Sequence, residues 1–179
     1  MNVADRLVRA ASDGDAGLVK QLLETGVVAA DTQSSDQCTG LDQAVRRGHA
    51  GVVSALVEAG ADPEQRVGTY RETTPLCLAA VHGHTLVVKC LLDAGVHADA
   101  RNGMGHLPLV LAATAGQEGH MSTVDLLLDH GADIDAEMRN RTALGWAAGF
   151  GQANMVRHLL DRGASSPPRQ AERRCVPGR

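Results

Sequence analysis

The chain of 179 residues has a net charge of −4, 44% apolar residues and only 2% aromatics. The acidic balance excludes a global electrostatic footprint for nucleic acid, and no apolar run approaches the ~20 residues that span a bilayer. With one Trp, one Tyr and one Phe, the core must be built from Leu, Val and Ala, which suits thin layers of closely packed helices.

Taken in chain order, the sequence predicts pairs of short helices. The opening "MNVADRLVRAASDGD" is too polar for a signal peptide. It reads as a first helix around Ala10-Ala11, followed by a second with Leu18, Val19, Leu22 and Leu23, closed by Gly26. No finger precedes it, so this unit is expected to act as an N-terminal cap. Leu41, Ala44 and Val45 repeat the first-helix pattern at i, i+3, i+4, which is one helix face. The third unit, "TTPLCLAAVHGHTLVVKCLLDAG", has Leu76, Ala79 and Ala80 in the first helix, then Gly83, a residue suited to a helix end. Its second helix carries Val87, Val88, Leu91 and Leu92 and closes at Gly95. The fourth unit has Leu109, Ala112 and Ala113, with three extra residues in its turn, "TAGQEGH". The fifth has Leu144, Ala147 and Ala148, then Met155, Val156, Leu159 and Leu160, closing at Gly163. The last fifteen residues, Ser165 to Arg179, are rich in Pro, Ser and Arg. They carry four Arg and one Glu, a net of +3. The rest has thirteen basic against twenty acidic residues, or −7. That tail is expected to be disordered.

Two markers set the period. The small-apolar pairs at 10, 44, 79, 112 and 147 are spaced by 34, 35, 33 and 35 residues. The closing glycines at 26, 60, 95, 131 and 163 are spaced by 34, 35, 36 and 32. Repetition at this period marks a solenoid. "TTPLCLAAVHGH" followed by "CLLDAG" resembles the ankyrin repeat. Gly-His recurs at 48–49, 83–84 and 119–120, and Gly-Ala-Asp at 60–62 and 131–133. The resemblance implies an all-α solenoid of five helix-turn-helix units joined by β-turn or hairpin-like fingers. The expected array is 1–164, in repeats 1–35, 36–70, 71–104, 105–138 and 139–164, with 165–179 as the tail. The sequence departs from the family where its Thr-Pro-Leu-His histidine is replaced by Val8, Asp42, Cys77, Val110 and Gly145. That loss predicts looser ties between fingers.

Catalytic patterns are weak. His82 and His84 form an H-x-H pair near Cys77, but zinc wants three or four converging ligands, and the Gly-His histidines are expected to bond backbone groups. A Cys77–His82 nucleophile pair lacks an orienting third group. Cys77 and Cys90 read as small hydrophobes, and with no CxxC among four cysteines a reducing cytoplasm is favoured. Neither a P-loop nor a dinucleotide fingerprint occurs.

Surface recognition remains. The resemblance implies a concave face made of finger tips and the exposed stripe of each first helix. By period, the stripe runs through Arg9, Ser12 and Asp13, then Gln43, Arg46 and Arg47, then Leu78, Val81 and His82, then Leu111, Thr114 and Ala115, then Trp146, Gly149 and Phe150. Tyr70, with Arg66 and Arg71, lies on a finger. Trp146 reads either as a binding anchor or as a cap shielding the last alanine layer. The expected function is a non-catalytic, monomeric binding module for a protein partner, without cofactor, metal, nucleic acid or membrane. Two alternatives stand beside it. One is an enzyme or a metal or small-molecule binder using His82 and Cys77; the other is a self-associating structural array.

Overall fold

The computed structural model describes residues 2–66, 72–115 and 119–165. Ten helices occur among them: α1 (Val3–Asp13), α2 (Ala16–Glu24), α3 (Gly40–Arg47), α4 (Ala50–Glu58), α5 (Pro75–His82), α6 (Thr85–Asp93), α7 (Pro108–Thr114), α8 (Met121–Asp129), α9 (Ala143–Gly149) and α10 (Ala153–Asp161). They form five antiparallel pairs. The first helices α1, α3, α5, α7 and α9 stack into an inner row, each against the next. The second helices α2, α4, α6 and α8 stack likewise into an outer row. The all-α solenoid expected from the period is what the chain forms.

Helix starts follow from local chemistry. The side chains of Asn2, Thr39, Thr74 and Thr142 each accept a hydrogen bond from the backbone N–H three residues on, which satisfies one of the donors a helix start leaves unpaired. Pro75 and Pro108 sit in the first turn, where a missing N–H costs nothing. The fourth unit departs: Leu107 replaces the capping threonine, makes no side-chain cap, and is 1% exposed. Leu107 therefore adds apolar packing where the other units have a cap hydrogen bond.

The small residues of the inner row let the helices approach closely. Leu41, Ala44, Val45, Leu76, Ala79, Ala80, Ala112 and Ala113 are all 0% exposed. In α6, Val87, Val88, Leu91 and Leu92 are all buried. The array ends differ. In α2 only Val19 and Leu22 of the set are buried, and in α10 only Met155 and Leu159. Ala148, expected in the core, is exposed.

The turn inside each interior unit closes a seam between units. The rings of His49, His84 and His120 each donate through Nε2 to a carbonyl of the preceding unit: Ser12 at 3.0 Å, Arg46 at 3.2 Å and Val81 at 3.3 Å. Gly48 has φ +79°, and a Cβ there would lie 2.8 Å from Nδ1 of His84. Gly14 stands in the same relation to His49. Glycine is needed at this position both for its left-handed backbone and for the ring that lies on it.

The fingers contain only isolated bridges among the described residues, Gln33 with Thr39 and Met138 with Arg141. They are tied in series by carboxylates. Asp31 accepts from the Asp62 N–H (3.2 Å), Asp99 from Asp133 (3.0 Å), and Asp135 from Ser165 N–H and Oγ–H (2.9 and 2.6 Å). Cys77, in place of the family's histidine, directs its thiol toward the carbonyls of Ala100 (3.8 Å) and His106 (3.7 Å). Ser165, read as the first tail residue, is joined to the last finger; the remaining tail lies outside the described residues.

Candidate partner-binding surface

The inner row buries one face in the alanine layer and presents the next face outward. α3 contributes Arg46 and Arg47, both exposed, and half-buried Gln43. Arg46 Nη2 lies 3.3 Å from the carboxylate of Asp42, whose side chain is 8% exposed. On α5, Val81 and His82 are exposed, whereas Leu78 is buried at 8% exposure. Leu78 belongs to the packing under the surface. On α7, Leu111, Thr114 and Ala115 are half-buried. The Thr114 hydroxyl donates back to the Val110 carbonyl at 2.7 Å, so it is engaged within its own helix.

At the first two units, stripe and finger share one open groove. Arg9, Ser12 and Gln43 line it together with Ser34, Asp36 and Cys38 of the finger. Periodicity within the helices carries no signal for the finger's share of this groove.

His82 stacks on His84 with ring centroids 5.6 Å apart. Partial burial, then the charges of His84, Arg46 and His120, hold the His82 imidazole below its ordinary pKa. It is therefore neutral near pH 7. Cys77 instead faces the next finger, and burial pushes its thiol pKa up, away from the thiolate a nucleophile needs. His82 and Cys77 serve different surfaces. Among the described residues no group of three or more His, Cys, Asp or Glu is placed to hold a metal ion.

The fifth unit separates its two aromatics. Trp146 is half-buried, and its indole N–H donates to the Met138 carbonyl at 3.0 Å. The Arg141 guanidinium lies over the indole ring, 5.4 Å from its centroid. A Cβ at Gly149 would come within 3.3 Å of that guanidinium, so Gly149 leaves it room. Trp146 thus clasps the last finger, residues 138–141, onto α9. Phe150 stacks beside it (centroids 6.0 Å, planes 21° apart) and stays 63% exposed. Arg141 was not among the residues singled out from sequence; its place before Thr142, next to a Trp one helical turn on, is the signal that finds it. Arg66 is exposed, while Tyr70 and Arg71 lie outside the described residues.

A model described as ankyrin repeat matches residues 36–66, and one described as ankyrin repeats (3 copies) matches 65–138 and 97–170. The chain belongs to the ankyrin repeat family. Among curated proteins, none matches it. Ankyrin repeats are generally protein–protein interaction modules. Among the described residues, no helix of this ankyrin chain is long and apolar enough to cross a membrane.

Proposed function

We propose that the chain is a non-catalytic adaptor, scaffold or inhibitor that docks a protein segment on the concave face of an ankyrin array spanning residues 1–164. One observation carries this reading. Phe150, the chain's only Phe, is 63% exposed and stacked on a tryptophan that is itself pinned to the backbone. An aromatic held rigid in the open is an affinity anchor, because little side-chain entropy is lost when a partner closes over it. Arg46 and Arg47 supply charge at the other end of the stripe, with Val81, His82 and Leu111 between them. Arg66, Tyr70 and Arg71 complete the proposed set of partner-binding residues. We place the protein in the cytoplasm as a monomer.

The test is retention of partners from a native extract by the intact chain, beside Phe150→Ala and the pair Arg46→Glu/Arg47→Glu. A protein retained by wild type and lost from Phe150→Ala, at unchanged melting temperature, supports the reading. Equal retention by all three places recognition off this face.

A further inference from the structure

Charge is distributed unevenly between the two rows of helices. Every outer helix carries at least one charged side chain, whereas the inner helices α5, α7 and α9 carry no Asp, Glu, Lys or Arg. Their outward face is an uncharged floor. Val81 on α5 is 37% exposed, Leu111 on α7 is half-buried, and Phe150 at the end of α9 is 63% exposed. His82 is the exposed titratable group on these helices, and partial burial followed by the charges around it holds it below its ordinary pKa. Charge returns at the borders, with Arg46 and Arg47 on α3 and Arg141 in the last finger.

The floor also offers little hydrogen bonding. The Thr114 hydroxyl donates to the Val110 carbonyl at 2.7 Å, and the Trp146 indole N–H donates to the Met138 carbonyl at 3.0 Å. Carbonyls near the ends of these helices are engaged as well. Val81 meets the His120 ring, and Ala79, Ala112 and Ala147 accept from the N–H groups of His84, His120 and Gln152. These two properties restrict what can cover the floor. A charged side chain set on it would lose hydration without gaining a counter-charge, so the contacting side chains are uncharged. An extended segment buried on it would leave backbone N–H and C=O groups without partners, whereas a helix pairs its own.

Resting on the reading of the chain as a protein-binding module, we propose that the occupant of this floor is an amphipathic helix of the partner, with an uncharged apolar stripe against α5, α7 and α9 and its polar face toward solvent. Stacked helices lie about 8–10 Å apart, so α9 stands about 16–20 Å from α5. About three to four turns of helix cover that span, with apolar residues at i, i+3 or i+4, i+7 and i+11. A large apolar residue near one end covers Phe150, and the charged borders meet the polar flanks of the helix.

The experiment is a selection against the full chain of phage-displayed random peptides of about sixteen residues, long enough for four turns of helix. Fluorescence anisotropy with a labelled synthetic copy of the most enriched peptide follows. We expect enriched peptides to place Leu, Ile, Phe or Trp at helical spacing, with charged residues confined to the opposite face. A proline introduced at the centre of that polar face should weaken the peptide about a hundredfold. Phe150→Ala should weaken the parent peptide about thirtyfold, and Val81→Glu, which sets a charge on the floor, about tenfold. Both protein variants are checked for an unchanged melting temperature. Enriched peptides with an alternating apolar pattern or none, or a proline variant that binds as well as its parent, overturn this inference and leave the binding-module reading standing. Equal binding to wild type, Val81→Glu and Phe150→Ala places recognition off this face and overturns both, as does the absence of any enriched peptide.

Discussion

The seam between the second and third units and the outer edge of the fifth are built from the same sequence pattern with opposite results. At the seam, Gly48 ends α3 with φ +79° and the His84 ring lies on it. At the edge, Gly151 takes the same conformation, φ +71°, and a Cβ there would meet nothing within 4 Å. In α6 all four apolar positions are buried, with Leu92 at 7% exposure; its counterpart in α10, Leu160, is 43% exposed. An interior unit is held on two sides by shape. Among the described residues the last unit is packed on one side, and polar groups also tie it to its neighbour. Asp125 of α8 accepts from Arg162 and lies 2.9 Å from Nε2 of His158, while Arg162 also bonds Asp129 at 2.6 Å. Local sequence sets a turn's conformation; the neighbour sets what that turn is worth.

The largest test of this contrast is Gly48→Ala beside Gly151→Ala. The interior change carries both the left-handed backbone penalty and the collision with His84, together about 3 kcal/mol. The edge change carries only the first, about 1 kcal/mol. For a chain of this length these correspond to melting-temperature drops of roughly 6–12 °C and 2–4 °C. Equal drops would show that the seam contributes nothing beyond backbone conformation.

Phe150→Ala should leave the melting temperature unchanged within error and cost about 2 kcal/mol of partner binding, near thirtyfold in affinity. Trp146→Ala should act the other way round. It removes the indole bond to Met138 and the stacking of Arg141, about 1–2 kcal/mol of stability in the last unit, visible as faster amide exchange across residues 138–149. If Phe150→Ala melts the unit and Trp146→Ala does not, the two roles are exchanged.

A smaller effect concerns His82. The groups facing it are Arg46 on α3, His84 in its own turn and His120 in the next. With partial burial they hold its pKa down, so the free protein binds less proton there than an unfolded chain would. The stability this contributes is present above the ordinary histidine pKa near 6.5 and is lost as pH falls through that range. His82→Gln, which carries no titratable ring, should therefore lose less stability than wild type between about pH 7 and pH 5. An identical pH dependence of melting in the variant would show that His82 contributes nothing to it.

The smallest expected change is Arg162→Ala. Its ion pairs are partly solvated, so the loss should stay within about 1 kcal/mol and shrink as salt is raised. A larger, salt-independent drop would mean that the edge depends on this cluster as strongly as the seam depends on shape.

Sequence by itself determined the architecture. Two markers recurring at one period place Ala79-Ala80 and their counterparts on one helix face, and glycine after each run fixes where the helices stop. Both are properties of a residue and its near neighbours along the chain. It also found the exposed pair Arg46 and Arg47 and the exposed Phe150, since the outward face of a helix follows from its period. Tertiary structure decided everything that depends on a neighbouring unit. Leu78 and Leu111 share one register position, yet one is buried and the other half-exposed. Ala148 is exposed, since none of the described units covers it, and Trp146 clasps a finger while Phe150 stays open. The Cys77 thiol faces two carbonyls of the next finger, and finger aspartates bond N–H groups of the next unit, contacts that the helical period does not encode. Period gives a side chain its direction from the helix axis; only the packed array determines whether that direction meets protein, backbone or water.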